Sequence, residues 1–153
     1  MNALAVYYSK FGNTRRVAEA IADTLKSKGA VRVTGTDELT ASDLQRSDLV
    51  VMGSPTHRMK LPEEVQSILK SLPAGALEGA SVAAFDTSYK MSGWLARFTA
   101  ARKLARALRR LGGRQVVPAE TFHVVEREGP LYEGEIERAK TWAESVWLET
   151  SGA

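Results

Sequence analysis

The sequence contains no cysteine. That absence excludes disulfides, thiolate metal sites and cysteine nucleophiles. Histidine is scarce, with only His57 and His123 in 153 residues, which argues against a metal centre built from protein ligands. No apolar run approaches the roughly 20 residues that a membrane span needs. Met1-Asn2-Ala3 passes straight into an apolar run with no basic stretch ahead of it, so no signal peptide is expected and the default location is the cytoplasm. Internal repeats, low-complexity stretches and linkers are absent too. The chain length fits one unit, 1–153, with a single core. The net charge of +3 is a small cationic excess, a weak pull toward acidic partners.

What the sequence does have is a regular alternation of strand and helix signals. Ala3 to Tyr8 is a short apolar run suited to a buried strand. Val17, Ala18, Ile21 and Leu25 fall on one helical face in the run from Thr14 to Lys28, and Gly29 reads as its stop. Val31 to Thr36 is a more polar strand, suited to a sheet edge. Leu49-Val50-Val51-Met52 is unbroken and apolar, as a strand covered on both faces should be. Pro62 opens a helix with Val65, Ile68, Leu69 and Leu72 inward. Ser81 to Asp86 is a fourth strand. Trp94 to Leu111 reads as a long amphipathic helix closed by Gly112-Gly113. Gln115 to Val117 begins a fifth strand, Pro118 interrupts it, and Thr121 to Val125 resumes it or runs along its edge. Glu133 to Leu148 is the last helix, with Ile136, Ala139, Ala143, Val146 and Trp147 inward.

Five strands alternating with helices imply an α/β fold: a parallel sheet with helices on both faces, a three-layer α-β-α sandwich. Ligands in such folds sit beyond the carboxyl ends of the strands. The loops that matter are then Ser9 to Thr14, Ser54 to Leu61, Thr87 to Gly93, and Phe122 to Leu131. The first is the most informative. Ser9-Lys10-Phe11-Gly12-Asn13-Thr14 runs from a strand into a helix whose first amides are unpaired and partly positive. Hydroxyls add donors, and glycine allows close approach to an oxyanion. A phosphorylated ligand is expected. Walker and dinucleotide fingerprints both fail, because Gly12 is the only glycine in the loop. A receiver domain needs acidic residues where this chain has Ser9 and Gly53-Ser54.

Tyr7, Ser9, Gly12, Thr14, Ala18 and Ile21 stand at the spacings of the FMN-phosphate signature of the flavodoxin family, which this chain resembles. Gly53-Ser54-Pro55-Thr56 and Phe85-Asp86-Thr87-Ser88-Tyr89 are similar to that family's two flavin loops. The resemblance implies a short-chain flavodoxin-like protein with five parallel strands in the order 2-1-3-4-5 and FMN as cofactor. It also implies roles. Ser9, Lys10, Phe11, Gly12, Asn13 and Thr14 would bind the phosphate, with Lys10 and Arg15 either assisting or facing solvent. Pro55, Thr56, His57, Arg58 and Met59 would line one edge of the isoalloxazine. Thr87, Ser88 and Tyr89 would meet its pyrimidine edge. Tyr89 is the first candidate for stacking and Trp94 the second, although Trp94 equally suits core packing. His57 reads equally as a plain loop residue, Asp86 as a cap for the following turn, and His123 as a structural strand residue.

Flavodoxins that carry electrons are usually acidic around the flavin. Here His57, Arg58, Lys60 and Lys90 occupy the flavin loops, and Arg97, Arg102, Lys103, Arg106, Arg109 and Arg110 share one helix. A nearby cation stabilises an anion by about 1 to 4 kcal/mol at contact distance. The expected reduction potential is therefore less negative. Two roles remain open: electron carrier, or small FMN-dependent oxidoreductase with a quinone-type acceptor. The partner is then a redox protein or a small-molecule acceptor. Lys10 and Phe11 depart from the family's usual threonine or small residue, which keeps open a binding module that has lost the flavin. The arginine-rich helix lacks a nucleic-acid motif and interleaved exposed aromatics, which argues against nucleic acid. No catalytic residue is assigned, since a flavin carries the chemistry itself. The turn-rich segment 126–135 suits a lid beside the flavin or a dimer contact, and the sequence does not choose.

Overall fold

A computed structural model describes residues 1–57, 60–90 and 99–152. Six strands form one sheet: β1 Asn2–Tyr7, β2 Ala30–Gly35, β3 Leu49–Pro55, β4 Ser81–Ser88, β5 Arg114–Gln115 and β6 Glu120–His123. Their order is β2-β1-β3-β4-β5, all parallel, with β6 pairing β4 beyond β5. The fifth position of the sheet is thus filled twice by one interrupted strand. Pro118, which has no amide to give to a ladder, lies in the gap.

The alternation of side chains across the pleat explains the unbroken apolar runs. On one face Leu49, Val51, Ala83 and Phe85 pack under α1 (Asn13–Leu25) and α5 (Glu135–Ser151). On the other, Val50, Met52, Val82 and Ala84 pack under α2 (Ala41–Gln45), α3 (Glu63–Ser71) and α4 (Ala100–Arg110). Val17, Ala18, Ile21 and Leu25 are all buried, as their spacing requires. So are Ala139, Ala143 and Val146 of α5, while Ile136 and Trp147 are half-buried. Trp142 is also buried and forms an edge-to-face trio with Phe85 and Phe122, with ring centroids 5.9 to 6.1 Å apart.

Three elements differ from the sequence expectation. Helix α1 ends at Leu25, ahead of Gly29. Gly29 serves a close approach instead, because a Cβ there would lie 2.5 Å from the Met1 carbonyl oxygen. Helix α2 was not expected. It is only five residues long, too short to show a period, and it is announced by a capping box between Thr40 and Asp43. Helix α4 does not run unbroken from Trp94. Thr99 is extended (φ −74°, ψ 157°), and the helix starts at Ala100. Trp94, Arg97 and the rest of 91–98 lie outside the described residues, as do Arg58 and Met59.

The register places Tyr7, Gly53, Phe85 and Glu120 in one row across the sheet. Gly53 is required there: a Cβ on it would sit 2.0 Å from the Phe85 ring. Substituting Gly53→Ala is expected to destabilise the fold by about 2–3 kcal/mol through overpacking. Gly79→Ala, where a Cβ meets nothing within 4 Å, should cost about 1 kcal/mol from its positive φ alone. Urea melts of the two variants check this, and equal losses would refute it.

Candidate functional site

The carboxyl ends of β1, β3, β4 and β6 converge on one cleft of about 320 Å³. The loop after β1 supplies Ser9, Lys10, Phe11, Asn13 and Thr14. The end of β3 and its loop supply Pro55, Thr56 and His57, and β4 with its loop supplies Thr87, Ser88 and Tyr89. The sequence-predicted set is therefore brought together, except for Gly12, which lies on the far side of the same loop, and Arg58, Met59 and Trp94, which are not described. Val124 and Arg127 complete the lining. Their loop was expected to matter, but neither of these two residues was singled out. Only its fold-back shows which side chains reach the cleft. Val124 bridges Leu131, and the Val125 amide donates to the Pro130 carbonyl at 2.9 Å. Asn13 Nδ2 then donates to the Glu128 carbonyl at 3.1 Å, pinning this return against the start of α1. The segment 126–135 thus begins beside the cleft.

The loop after β1 turns at Gly12, whose φ of +92° suits glycine. The Ser9 hydroxyl accepts the Gly12 amide at 3.0 Å and keeps its own proton to donate. The amides of Lys10, Phe11, Asn13 and Thr14 have no hydrogen-bond partner among the described residues. Thr14 is buried, and its hydroxyl lies 2.9 Å from that of Thr87. One of the pair spends its proton on the other, and one proton remains. The loop therefore holds a surplus of donors, the composition of an anion site. Lys10, His57 and Arg127 add positive or proton-binding groups, and no Asp or Glu is found among the described lining residues. Two aromatic rings stand unusually open at the mouth, Phe11 at 42% exposure and Tyr89 at 46%.

Behind the cleft, Asp86 is fully buried near the carboxyl end of β4. Thr121 of β6 donates its hydroxyl to Asp86 Oδ1 at 2.6 Å, and Thr56 donates to Oδ2. The Ala100 amide donates to Thr56 Oγ1 at 2.9 Å, and the Ala100 and Ala101 amides also face the carboxylate. Asp86 thus caps α4 from fourteen residues away, which is why that helix starts at Ala100. His57 exchanges both backbone bonds with Lys60 at 2.9 Å. His123 stands on β6 and gives its backbone amide to Glu135 Oε2 at 2.6 Å, while its ring Nδ1 is buried without a hydrogen-bond partner among the described residues. Arg15 pairs with Glu19 in solvent. No group of metal-ligating side chains, and no helix long and apolar enough to cross a membrane, occurs among the described residues.

The model of the Flavodoxin family matches residues 6–142. A flavodoxin of Clostridium saccharobutylicum is 33% identical over 96 residues, which cover 61% of this chain and 59% of that relative. The match thus spans a little under two thirds of the relative's length. Among solved structures, a flavodoxin from the domain Archaea superposes with a TM-score of 0.79 at 23% identity, covering 99% of each chain. Flavodoxin 2 from Bacillus cereus gives 0.77 at 21% identity, covering 96% of this chain and 98% of its own. At those identities the structural likeness shows the fold, including the strand order 2-1-3-4-5.

Asp86 makes the frame around the cleft sensitive to pH. Burial raises its carboxyl to about 6 from 3.8, against the opposing pull of Thr121, Thr56 and the α4 amides. The folded form therefore binds this proton more tightly than the unfolded chain does. The resulting stabilisation is complete below about pH 4 and is lost as pH rises through about 6. That difference in proton affinity corresponds to about 2–3 kcal/mol. Asp86→Asn removes this titration. Its unfolding free energy relative to the unsubstituted protein should rise by about 2–3 kcal/mol between pH 4 and pH 7. Parallel pH profiles for the two proteins would contradict this placement of the proton.

Proposed function

We propose that this chain, which belongs to the flavodoxin family, binds FMN in the cleft at the carboxyl edge of its sheet and acts as a redox protein. The observation that carries this reading is the surplus of donors after β1. Four amides without partners among the described residues, and the Ser9 hydroxyl, stand at the start of α1, a set matched to a phosphate monoester. The cleft also fits the rest of the group. Tyr89 and Phe11 offer exposed ring faces to a flat aromatic guest. Thr56, Thr87 and Ser88 offer polar atoms at its edge.

Bound FMN would supply one- and two-electron chemistry, and the residues here orient it and set its surroundings. Ser9, Asn13 and Thr14 would hold the phosphate end together with the amides of Lys10 and Phe11, assisted by Arg127. Pro55, Thr56 and His57 flank one side of the ring, and Thr87, Ser88 and Tyr89 the other. The lining favours a negatively charged guest, so the reduction potential is less negative than an acidic site would give. The chain serves either as a carrier to a redox partner or as a small reductase. Its acceptor and its cytoplasmic location belong to the same proposal.

Purified protein mixed with FMN and then desalted should keep the flavin absorption bands. Riboflavin, which lacks the phosphate, should bind roughly a hundredfold more weakly or worse, since charge-assisted hydrogen bonds contribute about 1.5–3 kcal/mol each. Arg127→Ala should weaken FMN roughly fivefold and leave riboflavin unchanged. Loss of all colour on desalting, or equal affinity for the two flavins, would exclude the phosphate-cradle reading.

A further inference from the structure

Between α3 and α4 lies a groove that the flavin site does not use. Five cationic side chains border it: Lys60, Lys70, Lys103, Arg106 and Arg110. No acidic residue appears among its described lining. Lys60, Lys70, Arg106 and Arg110 are exposed and form no ion pair among the described residues. The two glutamates of α3, Glu63 and Glu64, sit in its first turn and do not line the groove. The floor is apolar, with Leu61, Leu69 and Leu111 along it. Like charges gathered around one depression repel one another, and a partner carrying carboxylates relieves that repulsion.

The apolar floor selects among anionic partners. Neither a free phosphate nor a nucleic-acid backbone needs one, whereas an apolar centre inside a charged rim is the anatomy of a protein interface. One end of the groove approaches the cleft. Lys60, which leads into α3, is bridged by backbone to His57 of the cleft lining. Helix α4 starts on Thr56, which lines the same cleft. A partner seated in the groove therefore lies beside the His57 side of the cleft.

We infer that the α3–α4 groove docks an acidic protein carrier that exchanges electrons with the cleft. The electron-exchange part rests on the FMN reading above, and the docking part does not. The partner is a one-electron carrier with a carboxylate-rich face, such as a small iron–sulfur protein. Each encounter passes one electron between the iron–sulfur centre and the flavin. One is oxidised as the other is reduced, and protons are drawn from solvent.

The test uses the full chain loaded with FMN and, as probe, an acidic plant-type [2Fe–2S] ferredoxin. Two charge-reversal variants are compared at low and high salt. One is Lys70→Glu/Arg106→Glu/Arg110→Glu, in the groove. The other is Arg102→Glu/Arg109→Glu, on the same helix but outside the groove lining. The dissociation constant should rise at least roughly tenfold for the groove variant and less than about threefold for the other, as expected for rim charges. Electron transfer from the reduced ferredoxin should slow in parallel. Both variants should keep the FMN affinity and circular dichroism of the unsubstituted protein. Equal weakening by the two variants, no saturable ferredoxin binding, or tighter binding of a DNA duplex lost in the groove variant would overturn the inference. FMN retention is read separately. A protein that holds no flavin fails the functional reading, whereas one that holds flavin but treats both variants alike fails this one.

Discussion

One buried carboxylate holds the functional edge of the molecule together. Asp86 lies near the carboxyl end of β4 and accepts hydroxyls from Thr56 after β3 and from Thr121 in β6. It also faces the first amides of α4. A single side chain thus sets the spacing of three strand ends and the starting point of a helix. Burying it without partners would cost several kcal/mol. The hydroxyls and amides offset that cost, so the elements that supply them are held in one arrangement. The cleft in front inherits its shape from this arrangement, since Thr56 and Thr87 line it directly.

Charge is distributed around that frame in a consistent way. The loop after β1 offers amides without partners among the described residues, the cleft adds Lys10, His57 and Arg127, and the groove beside it is bordered by five cationic side chains. The acidic residues that are tied down serve structure elsewhere. Asp43 pairs with Arg32 and Arg46 near the sheet edge, and the Arg32 hydrogen bond together with the Thr40 cap holds its carboxyl well below the usual range, at about 2. Glu135 joins Arg138 and the His123 amide, tying α5 to β6. The charged side chains among the described linings of the cleft and the groove are all basic.

Much of this was legible in the sequence because it is local. The run Leu49 to Met52 announces a strand buried on both faces, and Val17, Ala18, Ile21 and Leu25 announce a buried helical face. Ser9 to Thr14 stands at the strand–helix junction where its spacing puts it. The parts that were not legible depend on contacts distant in sequence. The start of α4 is decided by Asp86 and Thr56, not by its own periodicity, so an unbroken helix from Trp94 was the wrong expectation. Val124 and Arg127 reach the cleft only because their segment folds back onto Asn13. Trp142 shares the face of Ala139 and Val146, but its place in the aromatic trio depends on where β4 and β6 put Phe85 and Phe122. Helix α2 left only its capping box as a trace.

The central claim is that the amides at the start of α1 that have no partner among the described residues are the anion donors of a flavin site. The most direct measurement is an NMR titration of the isotope-labelled protein with FMN, following individual backbone amides. The account predicts saturable shifts at a ratio of one to one, largest for Lys10, Phe11, Asn13 and Thr14, with Tyr89 and Thr56 next. Shifts confined to the α3–α4 groove, or spectra left unchanged by FMN, would contradict it.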